Sequence, residues 1–145
     1  MGEKKKILWV ENDREWVAPF AVALGDRGYD VRFERSPLPA EQALEDGHYN
    51  LLILDVMVPT LGEGEEQTYP PNETQRGHDT GLVFYRRNRE TLEKKNIPVL
   101  VFTVRMDRAI LDAFLDEGLP RKNFATKFEL RDTDDFVERA ESLMR

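Results

Sequence analysis

The chain contains no cysteine, which removes disulfides, thiol nucleophiles and thiolate zinc sites from consideration. It also lacks any apolar stretch long enough to span a bilayer. Its opening, MGEKKKILWVEND, offers only four apolar residues in a row before acids intervene, so it does not read as a signal peptide. Acids outnumber bases, 28 to 21, and the bases are scattered. The only basic run is Lys4-Lys5-Lys6, too short for a nucleic-acid footprint, and the net charge is −7. These absences point to a cytoplasmic protein that neither crosses a membrane nor binds nucleic acid directly.

What is present is an ordinary globular composition, 40% hydrophobic and 34% charged over 145 residues, the size of one domain with a real core. Short apolar runs alternate with amphipathic segments of helical length. Ile7 to Val10, Leu51 to Leu54 and Val99 to Phe102 are continuous apolar runs, as strands buried on both faces should be. Tyr29 to Glu34 and Asn123 to Thr126 read as two further strands. Between them, Asn12 or Asp13 caps a helix to about Arg27 that Pro19 should bend or break. Ser36, Pro37 and Pro39 open a short helix over 40–46. Further helices are expected over 81–95, 107–117 and 132–144. Five β-then-α units in one order predict a doubly wound, five-stranded parallel sheet, an α/β three-layer sandwich of flavodoxin-like (βα)5 type. One domain over 1–145 is expected, interrupted by a polar insertion at about 60–78.

In such sheets, function collects beyond the carboxyl ends of the strands. The residues there are Glu11, Asn12 and Asp13 after the first strand and Asp55 after the third. Thr103 follows the fourth, and Lys127 the fifth. A carboxylate that can attack phosphorus, neighbouring oxygens that can hold a hard cation, a hydroxyl and an ammonium suit phosphoryl transfer. Singly, each has a plainer role as a helix cap, a turn former or a surface lysine. Together, one per strand, they carry weight. His48 and His78 end no strand and read as solvated loop residues.

The runs ILWVEND (7–13), LLILDVMVP (51–59), VLVFT (99–103) and FATK (124–127) resemble the receiver domains of two-component response regulators. The resemblance implies that Asp55 is the phosphoacceptor and that Mg²⁺ is held by Glu11, Asn12, Asp55 and the Met57 carbonyl. It implies that Pro59 shapes the loop, that Thr103 and Lys127 bind the phosphoryl group, and that Phe124 is a switch aromatic. Three departures stand out. Asn12 occupies the place of a second acid, so metal affinity should fall unless Asp13 turns inward as a substitute. Phe128 replaces the proline after the lysine. The 60–78 insertion lengthens the link after the third strand, and its Glu-rich composition predicts a mobile acidic flap over the pocket, anchored by Tyr69.

The implied function is a two-component phosphorelay phosphoprotein rather than an enzyme, assisting at most its own phosphorylation and dephosphorylation. Its implied partners are a sensor histidine kinase or phosphotransfer protein and a downstream protein. With the sequence ending after its last helix, output is expected through the face built from 107–117, 123–126 and 132–144. The alternatives are a pseudo-receiver acting as a phosphorylation-independent interaction module, an aspartyl phosphatase and a flavin binder. Met57 two residues after Asp55 speaks against the phosphatase, and the acidic first loop speaks against the flavin.

Overall fold

The computed structural model describes residues 4–145. Five strands, β1 (Lys6–Val10), β2 (Asp30–Glu34), β3 (Leu51–Leu54), β4 (Val99–Thr103) and β5 (Phe124–Thr126), pair in the order β2-β1-β3-β4-β5, all parallel. The three central strands are the three continuous apolar runs, and they are buried end to end apart from Lys6. Edge strand β2 is only partly covered, which is why its residues alternate weakly.

Side chains leave each strand alternately to the two faces. Ile7, Trp9, Leu51, Ile53, Leu100 and Phe102 meet α1 (Arg14–Asp26) and α7 (Thr133–Met144) through Phe20, Leu24, Phe136 and Ala140. Leu8, Val10, Leu52, Leu54, Val99 and Val101 meet α2 (Pro37–Asp46), α5 (Thr80–Lys94) and α6 (Arg108–Asp116). The expected three-layer sandwich is therefore observed.

Some details differ from the sequence-based expectation. Helix α1 runs unbroken through Pro19. The proline lies on the exposed side, where water can satisfy the carbonyl that loses its partner. Helix α2 starts at Pro37, earlier than expected, with both prolines in its first turn, where no amide partner is needed.

The 60–78 insertion is not a mobile flap. It folds into α3 (Glu63–Thr68) and α4 (Pro71–Thr74) and lies against α2 and α5. Tyr69 is wholly buried, as an anchor should be. Its hydroxyl donates to Glu41 Oε1 at 3.2 Å, and the Arg87 guanidinium stacks 5.2 Å from its ring centroid. Arg87 also donates to Glu41. The buried Glu65 carboxylate accepts from the Leu38 amide at 2.8 Å and from the Leu61 amide. It thereby caps the first turn of α2, whose own Ser36 makes no side-chain cap bond. At the other end of α2, Lys95 Nζ donates to the carbonyls of Leu44, Glu45 and Gly47. Gln75, Arg76 and Gly77, all at positive φ, then turn the chain toward α5. Composition understated this order because one buried aromatic and two prolines, each narrowing the unfolded ensemble, count for more than many polar residues.

Candidate functional site

Leaving β1, the chain moves outward to β2 and then returns across β1 to place β3 on its other side. The carboxyl ends of β1 and β3 therefore flank the point where the connections diverge, and a crevice forms there. Glu11 continues β1, its amide donating to Glu34 O at 3.0 Å, and Asp55 continues β3, its amide donating to Val10 O at 3.0 Å. Both side chains are buried, 1% and 4% exposed. Lys127 continues β5, with its amide on Thr103 O at 2.8 Å. Its ammonium reaches into the crevice, 2.7 Å from Glu11 Oε1 and 3.4 Å from Asp55 Oδ2. The ladder hydrogen bonds thus extend one residue past β1, β3 and β5, and that extension aims the three side chains.

Two buried carboxylates sharing one ammonium carry excess negative charge. Burial first, and the neighbouring Asp55 second, push the Glu11 carboxyl up to about 8, against the opposing pull of Lys127. A carboxyl whose proton is held more tightly in this way marks a pocket short of positive charge. The donors fit a hard divalent cation, which takes one or two carboxylates and keeps several waters. Glu11 and Asp55 would supply the oxygens. The Met57 amide approaches Asp55 Oδ1 at 3.4 Å, so the Met57 backbone lies beside the same carboxylate.

The remaining expected residues divide. Thr103 is fully buried, and its hydroxyl accepts from the Arg105 amide at 3.2 Å. Phe124 is buried, with its ring 5.8 Å from Phe114 on α6. Asn12 is exposed. Asp13 is exposed too, and does not turn inward as a substitute ligand. Its carboxylate caps α1 by accepting from Trp16 N at 3.3 Å, while its amide donates to Glu11 Oε2. The crevice therefore gathers two acids where the resemblance led us to expect three ligand side chains. Among the described residues no cluster of three or more His, Cys, Asp or Glu side chains is arranged for a metal. The Lys127–Phe128 peptide is trans, and Lys127 nevertheless points into the crevice.

Two contributors went unread in the sequence. A Cβ on Gly81 would lie 2.3 Å from Asp55 O and 2.7 Å from Val56 Cα, so α5 packs directly on the backbone that carries the acid. A glycine in the first turn of a helix, against propensity, was the available signal. Arg105 ties the loop after β4 to the start of α5. Its guanidinium donates to His78 O, Asp79 Oδ1 and both oxygens of Asp107. Those bonds hold the exposed Asp107 carboxyl down at about 2.

No family model matches the chain. Over 113 residues it is 32% identical to the transcriptional regulatory protein BasR of Escherichia coli (strain K12), an alignment covering 78% of this chain and 42% of that protein. The chain thus spans less than half the length of this relative. Among solved structures it is similar to the BeF3-activated N-terminal receiver domain of Klebsiella pneumoniae RstA. That pair superposes at TM-score 0.71 and 21% identity, covering 97% of this chain and 99% of that one. It is also similar to a Burkholderia pseudomallei response regulator solved with a phosphorylated aspartic acid, calcium ion and citrate. There the TM-score is 0.67 at 15% identity, covering 97% of this chain and 69% of that one. The chain has the receiver fold of response regulators. No described helix is long and apolar enough to cross a membrane.

Proposed function

We propose that the chain is a cytoplasmic phosphoacceptor, taking a phosphoryl group on Asp55 from a histidine kinase or phosphotransfer protein and signalling by protein contact. The observation that carries this reading is the pairing of buried Asp55 with Glu11 and Lys127 in one crevice. An Asp55 oxygen attacks phosphorus as the donor's P–N bond breaks, and the donor imidazole recovers its electron pair. Lys127, 3.4 Å from Asp55, is in place to follow a phosphoryl oxygen. Glu11 and Asp55 would hold a cation, for which we favour Mg²⁺, and it would supply charge neutralisation as two anions meet. The calcium ion and phosphoaspartate of the Burkholderia neighbour support this donor chemistry.

Signalling runs through Thr103. Its hydroxyl accepts from the Arg105 amide and keeps its own proton to donate to a phosphoryl oxygen, so one group would link that oxygen to the Arg105 loop. The loop carrying Arg105 runs directly into α6, where Phe114 meets Phe124. The partner-binding face is accordingly α6, β5 and α7.

A pseudo-receiver is the second reading, favoured by one observation: Asn12 and Asp13 face solvent and leave two carboxylates in the crevice. Intact mass after incubation with a small phosphodonor and Mg²⁺ separates the two readings. The phosphoacceptor gains one phosphoryl mass, and Asp55→Asn does not. A wild type that stays unlabelled, beside a control that labels, establishes the pseudo-receiver.

A further inference from the structure

Trp16 sits in the first turn of α1 with 44% of its surface exposed, an unusual place for the largest side chain. Its position is not accidental to the core. The indole stacks on Phe20 with centroids 5.7 Å apart and planes 15° from parallel. Phe20 in turn meets Phe102 and Phe136 edge-on at 5.5 and 5.1 Å. Trp16 is therefore the outer end of an aromatic column rooted in the sheet, and its ring is held in place by that column.

Lys127 Nζ lies 5.2 Å from the Trp16 ring centroid, inside the range at which an ammonium is attracted to an indole face. The same nitrogen touches Glu11 and Asp55, and the Lys127 side chain is only 4% exposed. Lysine reaches its target on a flexible four-carbon stem, and the entropy of pinning that stem opposes any fixed placement. Glu11 and Asp55 attract the ammonium but leave its remaining side open. The indole closes that side, and excluding water strengthens the contacts that remain.

We propose that Trp16 is a positioning residue for the phosphoacceptor site: its ring holds the Lys127 ammonium beside Asp55, where the incoming phosphoryl oxygens arrive. The role rests on the phosphoacceptor reading, whereas the contact itself does not. The ring acts on Glu11 and Asp55 only through the Lys127 ammonium that they share, so with the cation saturating its loss is read in phosphoryl capture.

The test uses the full chain as wild type, Trp16→Leu and Trp16→Phe, each checked for cooperative unfolding. In cation-free protein the Lys127 ε-methylene protons should be shifted upfield by the indole ring current. That shift should vanish in Trp16→Leu and partly persist in Trp16→Phe, which keeps the stack on Phe20. Labelling by acetyl phosphate with saturating Mg²⁺ should slow about tenfold in Trp16→Leu, the equivalent of ~1.4 kcal/mol. It should recover most of the way in Trp16→Phe. An unshifted Lys127 methylene in wild type overturns the contact. A normal labelling rate in Trp16→Leu overturns the positioning role. Failure of wild type itself to label overturns the phosphoacceptor reading instead, and the methylene shift still decides the contact.

Discussion

Gly81→Ala places one methyl group where the structure has no room for it. The added Cβ would stand 2.3 Å from Asp55 O, 2.7 Å from Val56 Cα and 3.0 Å from Asp55 C. All three are backbone atoms, which no side-chain rotation can clear. Restoring a tolerable 3.0 Å requires α5 to retreat from β3 by about 0.7 Å. That movement stretches the 2.9 Å hydrogen bond from Gly81 N to Val56 O. Overpacking of this kind costs about 1–3 kcal/mol, and alanine's better helix propensity returns up to about 1 kcal/mol of it. The net loss should lower the unfolding midpoint by a few degrees. The functional loss should be larger than the stability loss, because the strain bears on Asp55, the residue proposed to accept the phosphoryl group. A misplacement approaching 1 Å at a reacting group costs up to about 100-fold in rate. Differential scanning calorimetry and the rate of mass gain with a small phosphodonor measure the two effects on one sample. An alanine variant with an unchanged or raised midpoint and an undiminished labelling rate would refute the close approach as a constraint on Asp55.

Other expectations concern the pocket and the insertion. The Glu11 carboxyl titrates at about 8 in the folded protein against 4.5 unfolded, so the folded state holds the proton more tightly. Its contribution to stability is full below pH 4.5 and is lost as pH rises toward 8, by an amount on the order of a few kcal/mol. Cation-free wild type should therefore lose stability relative to Glu11→Gln across that window, and a difference independent of pH would contradict the burial argument. Asn12→Asp adds a charge beside the crevice and should tighten Mg²⁺ binding several-fold in a calorimetric titration. Equal affinity would mean that an exposed residue 12 does not reach the cation. Tyr69→Ala empties a fully buried site and should cost about 3–5 kcal/mol in chemical denaturation; a loss below 1 kcal/mol would show that the insertion is not anchored there.

The sheet was legible because parallel strands buried on both faces must be continuously apolar, and Leu51 to Leu54 or Val99 to Phe102 admit few other readings. The placement of Asp55, Glu11, Thr103 and Lys127 was legible for a topological reason: each ends or directly follows its strand, and the ladder carries it to one edge. What stayed hidden depends on contacts distant in sequence. Glu65 captures a backbone amide at Leu38, and backbone donors leave no mark on residue identity. Trp16 and Lys127 meet only after the sheet assembles. Asp13 does not become the substitute ligand because a nearer acceptor task, the first turn of α1, claims its carboxylate.

Helix α2 is finished at both ends by other segments of the chain: Glu65 satisfies its first turn and Lys95 its last carbonyls. Such a helix cannot be a stable unit early in folding, since its terminal groups await residues some thirty to fifty positions downstream. Its ends should acquire full protection from hydrogen exchange only when the insertion and the end of α5 dock. The insertion is then bound into one cooperative element with α2 and α5, and opening any of the three exposes the others. The segment that lengthens the link after β3 is part of what closes the fold behind it.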